Sequence, residues 1–178
     1  MKALKIILAI IGLLVAIILI TPLFVNGDYS VEKEVQINQS SDVVFDYVKY
    51  LKNQDEFSMW ATMDSDMEKT FSGTDGTVGA VAGWKSENKD VGSGEQEITG
   101  IQEGERIDFE LRFFEPFEST DNAYFEVEAV NDSVTITKWG FYGTMKYPMN
   151  MMLLFMDMEE MLGGQLQEGL DNLKVILD

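Results

Sequence analysis

The sequence predicts an α+β chain: a curved antiparallel sheet wrapped around a long C-terminal helix, preceded by one transmembrane helix. Three observations carry this expectation. Residues Ile6–Val25 hold no charged side chain, and a helix rising about 1.5 Å per residue over that length crosses roughly 30 Å, the hydrocarbon core of a bilayer. From Tyr29 to Met145, apolar and polar residues alternate in runs separated by turn signals, the pattern of half-buried strands. From Phe155 onward, Met158, Leu162, Leu166, Leu170, Leu173 and Leu177 recur every three or four residues, one apolar stripe of a helix laid on a core. The chain therefore divides into an anchor, 1–27, and a globular domain, 28–178, which is expected to fold alone.

The rival to an anchor is a cleaved signal peptide. A cleavage site needs small residues at alternate positions, and Thr21-Pro22-Leu23-Phe24-Val25 does not provide them. Lys2 and Lys5 precede the span, and no cation follows it until Lys33. Excess positive charge stays cytoplasmic, so the domain is expected outside the cytoplasm on a single-pass membrane protein. Gly12 and Ala16 have the small-xxx-small spacing that lets helices pair, but the oligomeric state is left open.

Tyr29–Ile37 reads as the first strand, with Tyr29, Val31, Val35 and Ile37 on one face. Lys33 interrupts that face and is expected near the strand's open end. Ser40 or Ser41 caps a short helix carrying Val44, Val48 and Leu51, and Asn53–Trp60 forms a second short helix or turn. The next strand is expected to present Val78, Ala80, Ala82 and Trp84 on one face. Gly92–Ile101, Arg106–Phe114 and Asn122–Val130 follow. Asn131-Asp132 is a hairpin signal into Ser133–Met145. There Trp139 and Phe141 have the parity opposite to Val134 and Ile136, which calls for either a bulge or two partly covered faces. The final helix is expected to start near Pro148. Its Gly163-Gly164 pair marks either a kink or a close approach to the sheet.

Composition narrows the chemistry. All 31 acids follow residue 27, together with every base except Lys2 and Lys5, so the domain is more acidic than the chain's net −18. Such charge repels nucleic acid, whose phosphates need Lys and Arg, and disfavours tight docking on anionic headgroups. With no His and no Cys, a Ser-His-Asp triad, a thiol nucleophile, a usual zinc site and a disulfide framework are all excluded. No catalytic residue, metal site or cofactor is assigned.

The candidate site is built from inward-facing aromatics. Trp84, Phe109, Phe113 and Phe125 have the apolar parity of their strands, so they line a ligand cavity or fill a core. Trp139 and Phe141 join them as candidates. Gln96 shares its parity with Ile98; an inward amide needs a hydrogen-bond partner, either a ligand or the backbone. Seven of the eleven methionines lie between Met145 and Met161. Methionine suits adaptable apolar surfaces, so Met152 and Met156 are read as a cavity mouth or membrane-facing lip, against the plainer alternative of loop packing. Asp157, Glu159 and Glu160 read as a solvated acidic patch.

Several short motifs share an order and spacing. They are Val31-Glu32-Lys33, Val44-Phe45-Asp46-Tyr47-Val48, Phe57-Ser58-Met59-Trp60, Gly76-Thr77-Val78-Gly79-Ala80, Trp84 and Gly92-Ser93-Gly94 with Ile98. Pro116-Phe117, Trp139, Gly143, Phe155-Met156-Asp157-Met158 and Gly169-Leu170-Asp171-Asn172-Leu173-Lys174 complete the series. Over residues 29–175 this resembles the SRPBCC superfamily (polyketide cyclase/dehydrase-like, START-related). The resemblance implies a helix-grip fold with a cavity between sheet and long helix, holding an apolar small molecule or lipid. Gln39-Ser40-Ser41 stands where relatives usually carry a proline, and Phe57 where many have a tryptophan. The expected role is a membrane-tethered binding domain for such a ligand. The alternatives are a carboxylate- or tyrosine-based cyclase, dehydratase or hydrolase, and a protein-interaction module with a collapsed cavity.

Overall fold

The structure is a computed structural model describing residues 2–178. Helix α1, Lys2–Ile20, runs into a 3-10 turn at Thr21–Phe24. None of its residues is buried. Strand β1, Asp28–Ile37, leads to α2, Ser41–Val48, and to the single-turn helices α3, Gln54–Phe57, and α4, Met59–Thr62. Six strands follow: β2 Glu68–Ser72, β3 Val81–Lys85, β4 Ser93–Gln102, β5 Arg106–Glu115, β6 Ser119–Asn131 and β7 Val134–Thr144. A 3-10 segment, Met149–Leu154, precedes the last helix, α5, Met158–Leu177.

The strands form one seven-stranded sheet in the order β1-β7-β6-β5-β4-β3-β2, antiparallel throughout. One face is covered by α5 and by α2–α4, and the period-2 alternation delivers the same parity of every strand to that face. The α+β expectation therefore holds, with the long helix gripped by the sheet. Between them lie Phe57, Phe109, Phe125, Leu166, Leu170 and Leu173, each fully buried and each worth about 1.5–3 kcal/mol in apolar area removed from water. The rings interlock: Phe57 lies 5.9 Å from Phe125 and 5.8 Å from Trp139, and Phe125 lies 4.8 Å from Trp139.

Several local expectations shift. The strand expected from Val78 begins at Val81, because Thr77–Ala80 is a turn closed by the Ala80 amide on Thr77 O at 3.0 Å. Gly76 and Gly79 hold positive φ there. The last hairpin turns at Asp132-Ser133, one residue late, since Asn131 pairs with Val134 and its side-chain oxygen accepts from the Ser133 amide. No bulge separates Ile136 from Trp139 in the β1–β7 ladder, whose register is continuous. The inner parity of β7 reads Thr135, Thr137, Trp139, Phe141, so two threonines rather than two aliphatics lie under the helix.

The last helix starts at Met158 instead of near Pro148. Asp157 is its N-cap, accepting from the Glu159 and Glu160 amides at 2.9 and 3.2 Å, and a carboxylate there also complements the helix dipole. Asp157 is thus a structural cap, and Glu159 binds Lys33. Lys33 sits in mid-strand: its stem lies under Gly163, where a Cβ would meet Lys33 Cε at 2.8 Å. Of the two readings of the glycine pair, close approach applies to Gly163. Gly169 allows a second one, its backbone resting on the Trp139 indole.

Candidate ligand-binding site

The inner face of the sheet can be followed row by row. Lys69, Trp84, Gly94 and Phe113 are cross-strand neighbours, and so are Phe71, Ala82, Gln96 and Leu111. Small residues alternate with large ones, and the gaps are used. The Trp84 ring lies over Gly94, where a Cβ would meet it at 2.7 Å, and it meets Phe113 edge-on at 5.8 Å. Ala82, small between Phe71 and Gln96, leaves the space above β3 unfilled. The outcome is a cavity of about 230 Å³ between these rows, α3–α4 and the N-terminal half of α5.

Five of the nine residues singled out in the sequence line it: Trp84, Gln96, Phe113, Trp139 and Phe141. Phe109 and Phe125 have the right parity but lie in the packed core, beneath Phe57 and the leucines of α5. Met152 and Met156 lie outside the cavity wall, because the segment carrying them precedes α5 instead of opening it. The lining residues not anticipated come mostly from the loop helices and the edge strand: Leu51, Gln54, Trp60 and Phe71. Leu51, Gln54 and Ser58 recur at helical spacing, a signal present in the sequence but broken by two chain turns. All three tryptophans of the chain, Trp60, Trp84 and Trp139, reach the cavity.

Polar groups in the wall are few. The Trp84 Nε1–H donates to Val91 O at 3.4 Å. Gln54 is only 8% exposed, and its amide nitrogen has no hydrogen-bond partner among the described residues. An unmet buried amide costs about 1–3 kcal/mol, so this position favours a guest that brings an acceptor. The titratable side chains in the wall are Asp55 and Lys69, which pair with each other at 2.9 Å.

Beside the cavity, a buried carboxylate closes the sheet. The Tyr29 hydroxyl donates to Asp121 at 2.6 Å, and Ser119 donates to the other oxygen at 2.9 Å. The contact crosses Gly143, whose missing side chain makes room for it. Burial first, then the hydrogen bond to and charge of Asp121, push the Tyr29 phenol far above its ordinary range. On the opposite face Arg112 binds Glu95, Glu97 and Glu110 at 2.6, 2.8 and 2.5 Å. Glu110 is therefore on the outer surface, as its parity implies. Among the described residues no three carboxylates are grouped as a metal site.

No family profile and no curated protein matches the chain. Solved structures do. Truncated norcoclaurine synthase from Thalictrum flavum superposes with a TM-score of 0.62 at 8% identity, over 86% of this chain and 96% of that one. The chain has the helix-grip fold. The same synthase has been solved in complex with dopamine and hydroxybenzaldehyde. Two further helix-grip neighbours are a protein from Nitrosospira multiformis, with a TM-score of 0.58 and 16% identity over 84% of this chain and 97% of that one, and the Aha1 dimer from Colwellia psychrerythraea, with 0.56 and 13% over 84% and 96%. At such identities the likeness speaks for the helix-grip fold alone.

Proposed function

We propose that this is a membrane-tethered member of the SRPBCC superfamily whose cavity binds an apolar small molecule or the end of a lipid chain. The observation that carries the reading is the cavity itself. Its walls are aromatic and aliphatic with a few amides, the composition of small-molecule sites. Its volume of about 230 Å³ exceeds the ~150 Å³ apolar cavity known to take up benzene. By that scale it encloses about ten non-hydrogen atoms. A compact aromatic fits whole, whereas a long acyl chain enters by one end and leaves the rest at the mouth. The unpartnered Gln54 amide favours a guest carrying a carbonyl, hydroxyl or carboxylate oxygen. Binding is favoured over catalysis because the wall's acid and base, Asp55 and Lys69, neutralise each other.

The tether reading rests on α1. A nineteen-residue apolar helix, Lys2–Ile20, with none of its residues buried, suits the surroundings of a bilayer interior. The Lys2/Lys5 bias supports an extracytoplasmic domain. A panel of fatty acids and small aromatics, screened for a rise in the melting midpoint of the full chain, tests the binding reading. Trp84→Ala, in the wall, abolishes or weakens the rise, whereas Glu110→Ala on the outer face leaves it intact. Equal effects from both substitutions, or no rise with any compound, refute it.

A further inference from the structure

The methionine-rich segment between β7 and α5 is fastened to the end of α1. Asn150, 6% exposed and the one polar residue between Pro148 and Met156, donates from its Nδ2 to both Pro22 O and Val25 O at 2.8 Å. The Tyr147 hydroxyl donates to Leu19 O at 3.1 Å, and the Met145 amide donates to Gly27 O at 2.9 Å. Leu19 O lies in the last turn of α1, Pro22 O in the 3-10 turn, where it also accepts from the Val25 amide, and Val25 O and Gly27 O in the stretch that leads to β1. The segment is therefore held at one depth relative to α1, at the end of its apolar run.

Beyond these bonds the segment faces outward with apolar groups. Phe155 is 79% exposed and Met149 54%, and Met152 and Leu154 are exposed beside them. In a water-soluble domain such a patch, continuous with an uncovered apolar helix, marks an interaction surface. No acid occurs between Asp132 and Asp157, although the domain is strongly acidic elsewhere, and Lys146 lies within this stretch.

Resting on the tether reading above, we infer that Met149–Phe155 lies in the boundary between headgroups and acyl chains of the bilayer that holds α1, so that the domain rides on the membrane surface in one orientation. The partner is a lipid surface. If α1 spans the hydrocarbon, its last carbonyls lie at that boundary, and whatever they bind lies there too. The exposed Phe and Met side chains are then solvated by lipid.

The chain has no cysteine, so single labels report cleanly. An environment-sensitive dye is placed on the full chain at Met152→Cys, Phe155→Cys, Leu13→Cys within α1, or Val175→Cys, 81% exposed near the far end of α5. Each is reconstituted in phosphatidylcholine vesicles carrying lipid brominated near the headgroup or at mid-chain. The expected result is several-fold stronger quenching by shallow bromines at 152 and 155 than at 175, with 13 quenched by mid-chain bromines. Quenching at 13 while 152 and 155 behave like 175 overturns the surface inference and leaves the tether standing. A blue-shifted but unquenched dye at 152 and 155 means that protein, such as a second copy, covers the patch, and also overturns it. Absence of quenching at 13 defeats the tether and this inference together.

Discussion

Ala82 stands at the cavity wall on β3, between Phe71 and Gln96 in the cross-strand row. Replacing it by leucine adds three carbons directed into the space above the sheet. If that space is open and apolar, they contribute about 2.4 kcal/mol at ~0.8 kcal/mol per buried methylene. Ordering the longer side chain offsets about 0.5–1 kcal/mol of this, leaving a net stabilisation of about 1.5–2 kcal/mol by these two magnitudes. For a domain of this size the midpoint rises by about 3–8 °C. In a filled core the same change costs about 1–3 kcal/mol through overpacking. The sign alone therefore decides whether the space is empty. Thermal unfolding of the full chain in detergent micelles, followed by circular dichroism, measures it. A lowered midpoint for Ala82→Leu refutes an open cavity, and an unchanged response to apolar compounds refutes its use as a site.

Asn150→Ala removes the donor shared by Pro22 O and Val25 O; local opening at Phe24–Gly27 should rise about tenfold, for a loss of about 1.4 kcal/mol, while the global midpoint holds. Limited proteolysis of that stretch reads the effect, and equal cleavage in both proteins contradicts it. Alkaline pH should destabilise the fold: the hydroxyls of Tyr29, Tyr47 and Tyr124 donate to Asp121, Glu56 and Glu32. Burial, followed by those carboxylate partners, pushes Tyr47 and Tyr124 up to about 12, and Tyr29 higher. Because the folded values exceed the unfolded value of about 10, this stabilisation is complete below pH ~10 and is lost as pH climbs through the folded values. Phenolate absorbance, assigned by Tyr→Phe variants, should show these three ionising late; ionisation near the unfolded value contradicts the prediction.

Element types were legible because each rests on local periodicity. The β1, β5 and β6 alternations placed Val31, Phe109 and Phe125 inward, and the leucine stripe placed Leu166, Leu170 and Leu173 under the sheet. Parity cannot separate a cavity wall from a core: Phe109 and Phe113 share a strand face, yet only Phe113 reaches the void. What divides them is the ring cluster around Phe125, which Phe109 joins edge-on and Phe57 closes from a loop helix, whereas Phe113 meets Trp84. The start of α5 is not legible, because the apolar run after Pro148 reads as continuous helix whereas it forms a separate 3-10 segment. Most of those side chains face outward, and Asn150 among them bonds to Pro22 O and Val25 O, a long-range contact that no local pattern carries. Trp60 and Phe71 are not legible for a related reason, since a one-turn helix and a five-residue edge strand are too short to show a period.

All three tryptophans lie in the cavity wall, so intrinsic fluorescence reads its occupancy without a label. A short brominated acyl chain, titrated into the full-length protein, should quench that fluorescence saturably at one guest per chain. An unbrominated analogue should reverse the quenching, and Ala82→Leu should suppress it. Quenching that climbs without saturation and is the same in Ala82→Leu would show partition into lipid alone, and would contradict a binding cavity between sheet and helix.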